Sequence, residues 1–314
     1  MTAQEVWLET AGAVKLFTRR WQPEGSPRAI VNIVHGMAEH GARYARLAEA
    51  LCRRGVEVWC ADQRGHGRTA DAAVNRESDG GLLGHCADRD AVNKVLGDID
   101  LVHKAIRREY ENIPLVLLGH SWGSFVVQAY IEFYGGPINA VILSGTRGTA
   151  GADIKAGTLI LRLHTAVFPI RTKSQAIRRL VMGRNIKPFL PARTALDWLS
   201  RDQAEVDAYI ADPLCGLLPT IGFYYDMLCL LKLVTKNRNI EKIRRDIPVY
   251  VFAGDRDPVG AMGAGVTALV KKYKNIGIKD LSFVLYPGAR HECLNEINRE
   301  EVISNLVAWI ERLL

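Results

Sequence analysis

The 314 residues carry 48% hydrophobic and 24% charged side chains, the balance of an ordinary globular chain, which excludes disordered, fibrous and low-complexity classes. The net charge of +7 is uneven: residues 146–246 hold 17 Lys+Arg against 9 Asp+Glu, while the remainder holds 24 against 25. Six cysteines lack paired spacing and Met1-Thr-Ala-Gln-Glu opens no apolar leader, so free thiols and a cytoplasmic setting are expected.

Val6–Glu9 and Val14–Trp21 read as an antiparallel hairpin turning at Ala11-Gly12. Arg28–Val34 predicts a strand ending at His35-Gly36-Met37. Tyr44–Arg54 has helical periodicity through Leu47 and Leu51 and stops at Gly55. Val56–Ala61 predicts another buried strand, and Asp90–Tyr110 an amphipathic helix with Val92, Val95, Ile99, Val102 and Ile106 on one side. Ile113–Leu118 predicts a strand and Trp122–Phe133 a helix with Phe125, Val126, Tyr130 and Phe133 apolar. The run Ile113–Ile131 has membrane-span length, but its Gly-His-Ser-Trp-Gly break marks it as strand and helix.

After a strand at Ala140–Ser144 the alternation stops, and residues 146–246 pattern as helices. It resumes with strands at Pro248–Ala253 and Leu281–Tyr286 and helices at Ala261–Tyr273 and Asn298–Leu314. In the last helix Val302, Leu306, Ile310 and Leu313 face inward. The expectation is an α/β fold, a doubly wound, mostly parallel sheet formed by residues 1–145 and 247–314, with a helical cap inserted at 146–246.

Gly119-His120-Ser121-Trp122-Gly123 lies between a predicted strand and a predicted helix. That setting makes G-x-S-x-G a nucleophile elbow, exposing the Ser121 hydroxyl and aiming the Trp122 amide at whatever Ser121 attacks. A serine needs a base, and the base a carboxylate. Only His164 and His291 follow Ser121. His164 lies mid-pattern in the insertion, where packing or capping is expected, whereas His291 follows a core strand and is the candidate base. Of the two carboxylates in Gly254-Asp255-Arg256-Asp257-Pro258, Asp257 lies further beyond its strand and is the candidate acid, with Asp255 bracing the loop. The second oxyanion donor falls to the Met37 amide, with His35 bracing that loop.

His35-Gly-Met-Ala-Glu-His-Gly-Ala-Arg-Tyr44, Asp62-Gln-Arg-Gly-His-Gly67, Gly119-His-Ser-Trp-Gly123, Gly254-Asp-Arg-Asp257 and Gly288-Ala-Arg-His291 occur in that order. Together they resemble the monoacylglycerol lipase/lysophospholipase family of α/β-hydrolases across nearly the whole core. The resemblance implies Ser121, Asp257 and His291 as catalytic residues, Met37 and Trp122 as oxyanion amides, and Arg43 and Tyr44 near the alcohol-leaving side. It implies no cofactor or metal, and a cap between the sixth and seventh strands. Met37 and Trp122 replace smaller or more flexible residues common in that family, narrowing the site, and the cap sequence departs from that of the animal enzymes.

Two apolar stretches of the insertion, Ala156–Ile170 and Leu217–Val234, are read either as the cap's own core or as an acyl tunnel, with Phe223, Tyr224 and Met227 as contacts. The basic excess is read either as a solvated face or as peripheral contact with an anionic membrane; no nucleic acid partner is expected. The expected activity is hydrolysis of a lipid-like carboxylic ester through an acyl-enzyme. The competitors are acyl transfer, amide or carbon–carbon cleavage on the same residues, and a non-catalytic binding module. His291-Glu-Cys-Leu-Asn lacks the second histidine of a zinc motif.

Overall fold

A computed structural model describes residues 1–10, 14–75 and 80–314. Eight strands form one sheet: β1 (Thr2–Glu9), β2 (Lys15–Gln22), β3 (Ala29–Val34), β4 (Val56–Ala61), β5 (Leu115–His120), β6 (Ala140–Ser144), β7 (Val249–Gly254) and β8 (Leu281–Tyr286). Their order is β1-β2-β4-β3-β5-β6-β7-β8. β1, β2 and β4 pair antiparallel and the rest parallel. The hairpin pairs Glu9 with Lys15; its expected turn at Ala11-Gly12 lies outside the described residues.

Parallel strands are covered on both faces and so read as unbroken apolar runs, and β3, β5, β6 and β7 are buried throughout. Alternation then sorts their side chains between two cores. Val31, Ile33, Val116, Leu118 and Ile142 face α1 (Ala45–Cys52) and, at the other end of the chain, Val302, Leu306 and Ile310 of the helix Arg299–Glu311. Ile30, Leu117, Val141 and Leu143 face the opposite side. There they meet the helices that follow α2 (Ala72–Asn75), namely α3 (Ala91–Glu109) and α4 (Trp122–Phe133).

Between β6 and β7 the described residues form helices and loops, with one isolated bridge, Lys173 to Thr220. The helices are α5 (Ala152–Val167), α6 (Gln175–Met182), α7 (Gln203–Ala211), α8 (Ile221–Val234) and α9 (Asn237–Ile240). α10 (Ala264–Asn275) and α11 (Arg299–Glu311) complete the core. Boundaries differ from the sequence reading by a few residues. β5 runs two residues further, to His120, because the parallel ladder continues opposite Ser144. Phe133, expected on the apolar face of α4, is 40% exposed; it ends the helix, and Lys242 lies over its ring.

The two apolar stretches of the insertion behave differently. α8 is buried almost all round, and Phe223, Tyr224, Met227 and Leu228 join the same core as the sheet. α5 buries Leu161 but exposes Leu159, Leu163 and Val167, each by more than half.

A tight packing constraint sits at β5–α4. A Cβ on Gly123 would lie 2.0 Å from the Val34 carbonyl oxygen, whereas one on Gly97, inside α3, meets nothing within 4 Å. Gly123→Ala should therefore cost about 3 kcal/mol or more, and Gly97→Ala should stabilise by about 0.5–1 kcal/mol. Denaturant unfolding of both variants checks this; equal effects would mean the close approach is not constraining.

Candidate active site

The chain runs from β3 out to β4 and then crosses back to β5 on β3's other side. The strand order reverses between β3 and β5, so a crevice opens beyond their carboxyl ends. Ser121 leaves β5 there with φ 52° and ψ −120°, a conformation a non-glycine residue holds only under constraint. Its amide donates to the Ser144 carbonyl at 2.9 Å, and its carbonyl accepts from the Ser124 amide at 2.8 Å. Glycines at 119 and 123 let the turn close, since a Cβ on Gly119 would meet the Gly123 carbonyl at 2.5 Å. The reversal leaves the Ser121 hydroxyl standing at the mouth of the crevice.

The loop after β3 supplies the opposite wall. Glu39, 3% exposed, accepts from the Gly36 amide at 2.5 Å and from the Tyr44 hydroxyl at 2.9 Å through the same oxygen. Burial opposes the Glu39 charge, but Arg43, His120 and His35 outweigh it and hold the carboxyl at about 2. His35 braces the loop as expected, its Nε2 accepting from the Gln63 amide at 2.9 Å. Gln63 in turn donates to the His35 carbonyl and accepts from the Trp122 indole at 3.0 Å. The amides of Met37 and Trp122 make no hydrogen bond among the described residues. Both residues border the space over Ser121.

Loops after β7 and β8 bring the remaining groups. His291 Nε2 lies 2.8 Å from Ser121 Oγ, and its Nδ1 lies 3.0 Å from Asp257 Oδ1. The Val259 amide donates to the same Asp257 oxygen at 2.8 Å. Asp255 instead accepts from the Gly288 amide at 2.7 Å and braces its loop. His164 sits in α5 with Nδ1 against the Ile160 carbonyl. Burial disfavours a charged His291, but Asp257, Glu292 and Glu39 together outweigh it and raise the imidazole above its ordinary 6.5. Burial, then the neighbouring His291, pushes His120 down to about 4, so His120 is neutral near pH 7. The arrangement can take a proton from Ser121 and stabilise the resulting imidazolium.

Two cavities meet at Ser121, Met37 and Met182. One, of about 270 Å³, is bordered by His291, Glu39, Glu292, Tyr224 and Trp198. The other, of about 290 Å³, is bordered by Trp122, Phe125, Met227, Leu228, Leu231 and Val259. Tyr224 and Met227 line these cavities, whereas Arg43, Tyr44 and Phe223 do not. Arg43 is held behind the wall, 2.7 Å from Glu39 and bidentate to Glu292 at 2.8 and 2.6 Å. The Tyr44 hydroxyl is spent on Glu39, and Phe223 packs into the core against Trp122 and His66.

Sequence reasoning passed over Glu39, Glu292 and Trp198. The first two lie inside or beside the quoted motifs, where a buried acid was the available signal. Trp198, whose ring centre is 5.1 Å from that of His291, sits in the insertion with no motif around it.

Residues 25–298 match the family described as serine aminopeptidase, S33. A monoacylglycerol lipase of Mycolicibacterium smegmatis is 29% identical over 302 residues, 95% of this chain and 94% of that protein. The human monoglyceride lipase is 25% identical, over 97% of this chain and 89% of its own. The crystal structure of a thermostable carboxyl esterase from Bacillus coagulans, in complex with glycerol, superposes with a TM-score of 0.91 at 26% identity, covering 100% of this chain and 99% of that one. With most of its length matched and its eight-stranded, mostly parallel sheet in place, the chain belongs to the serine aminopeptidase S33 family of α/β-hydrolases.

Proposed function

We propose that this chain hydrolyses the carboxylic ester of a lipid carrying one acyl chain, a monoacylglycerol or lysophospholipid, through an acyl-enzyme. The observation that carries the reading is the unbroken contact from Ser121 to His291 to Asp257, at 2.8 and 3.0 Å, where two cavities meet. Similarity to a monoacylglycerol lipase and a monoglyceride lipase supports an ester with one acyl chain on glycerol as substrate.

Ser121 Oγ attacks the ester carbonyl while His291 Nε2 takes its proton, and Asp257 steadies the imidazolium through Nδ1. The Met37 and Trp122 amides receive the developing oxyanion. The leaving oxygen must collect its proton from His291, and His291 borders only the first cavity. The alcohol therefore departs there, and the acyl chain occupies the second cavity, against Phe125 of α4 and Met227, Leu228 and Leu231 of α8. Water, deprotonated by the same Nε2, then releases the fatty acid. Every step uses this chain's own groups and water.

In this reading residues 1–145 and 247–314 form the catalytic core and 146–246 its cap. The exposed Leu159, Leu163, Val167 and Phe168 of α5 and its end, within the basic segment, suit peripheral contact with an anionic membrane. No helix among the described residues is long and apolar enough to cross one. All six cysteines are free thiols, which supports a cytoplasmic setting.

Ser121→Ala should lower turnover of monoacylglycerols and p-nitrophenyl esters by roughly 10⁴-fold or more with the fold intact by circular dichroism. Activity within tenfold of the native protein would discard the assignment. Neutral His291 is the active form, so kcat/KM should fall as pH drops through a value above 6.5. Glu292→Gln should move that acid limb to lower pH, whereas a purely structural role would lower activity without moving it. Leu163→Asp with Val167→Asp should weaken co-sedimentation with anionic vesicles; undiminished binding would count against membrane contact through α5.

A further inference from the structure

The wall of the alcohol cavity has a chemistry that a neutral lipid does not require. α6 is eight residues long, is capped by Ser174 accepting from the Ile177 amide, and is anchored by buried Ile177. Gln175, Arg178, Arg179 and Met182 fall at i, i+3, i+4 and i+7, one face of the helix, and that face borders the cavity beside His291. Met182 sits where the two cavities meet, so the other three positions turn polar or charged groups toward the leaving alcohol. Val181, off this face, borders the second cavity, as do Arg184 and Asn185 just beyond the helix.

Among the described residues Arg178 and Arg179 form no ion pair. The acids in the same cavity, Glu39 and Glu292, are almost wholly buried at its inner end and already bound to Arg43. Arg178 is half-buried and Arg179 exposed, so the two stand at the outer end. Arg178 also lies near enough to the Tyr224 phenol to oppose the rise that burial imposes on it.

We propose that this cavity selects leaving alcohols that carry a phosphate, making the preferred substrate a monoacylated glycerophosphate. The inference rests on the ester-hydrolase reading above. The fatty ester lies at Ser121, glycerol hydroxyls donate to Glu39 and Glu292, and the phosphate reaches the guanidiniums, whose planar forks match its oxygens. Only the acyl C–O bond breaks. The acyl carbon passes to Ser121 Oγ and then to water, His291 gives its proton to the glycerol oxygen, and the glycerophosphate leaves with its P–O bonds intact. A phosphocholine head, ending in a cation, gains less from the same pair.

The test uses octanoyl lipids below their critical micelle concentrations, which separates recognition of a phosphate from attraction to an anionic surface. 1-Octanoylglycerol, its 3-phosphate and its 3-phosphocholine are compared with the native protein, Arg178→Gln/Arg179→Gln and Arg178→Lys/Arg179→Lys. The native kcat/KM should favour the phosphate over the neutral ester by about tenfold or more. That ratio should collapse toward one in the glutamine variant, be partly restored in the lysine variant, and decline with added salt. Glycerol 3-phosphate should inhibit competitively where glycerol does not. A native ratio at or below one, a ratio preserved in the glutamine variant, or a preference seen only above the micelle threshold would overturn the proposal. Failure of a fluorophosphonate to label Ser121, with none of the three lipids turned over, would instead overturn the ester-hydrolase reading beneath it.

Discussion

A chain that leaves a buried parallel strand and enters a helix within two residues has almost no conformations open to it. Here the turn is tied down by the bond from the Ser121 amide to the Ser144 carbonyl and by the fit of Gly123 against the Val34 and His35 carbonyls. Both contacts reach neighbouring strands, so the positive φ at Ser121 is maintained by the sheet rather than by local preference. Once Ser121 is fixed over the β3–β5 crevice, the loops after β3, β7 and β8 have one place to converge. The relation of hydroxyl, imidazole and carboxylate follows from strand order.

Charge inside the site is distributed as carefully as shape. Two almost fully buried carboxylates, Glu39 and Glu292, share the guanidinium of Arg43, so neither bears the full penalty of an unpaired interior charge. One of them also holds the Gly36 amide next to Met37, while the other follows His291 in sequence. A single buried cation therefore joins the loop bearing Met37 to the loop bearing the His291 imidazole. The excess negative charge that remains favours the protonated form of His291.

The helical segment is tied to the core in two ways. α8 contributes Phe223, Met227 and Leu228 to the main core, making it a shared wall. Near α7, the Tyr209 hydroxyl and the Gly216 amide both donate to the Ala38 carbonyl, at 2.7 and 2.9 Å, and His40 Nε2 lies 2.9 Å from Asp212. These bonds grip the same loop that presents Met37, so movement of the segment and the position of the Met37 amide are mechanically connected.

Much of this was legible in the chain itself. Fully buried strands announce themselves as unbroken apolar runs, and the spacing Gly119–Ser121–Gly123 encodes its own turn, because both depend on contacts local in sequence. The order of elements likewise put Asp257 and His291 on loops beyond strand ends. What required the tertiary structure was direction and partnership over long separations. Arg43 resembled a substrate contact until Glu292, 249 residues away, was seen to claim it; Phe223 and Tyr224 are adjacent in sequence and both join the core, yet Tyr224 alone of the two also borders a cavity. Residues 146–246 pattern as helices, but which face of α6 points into the cavity is decided by what packs against the helix, and no local pattern records it.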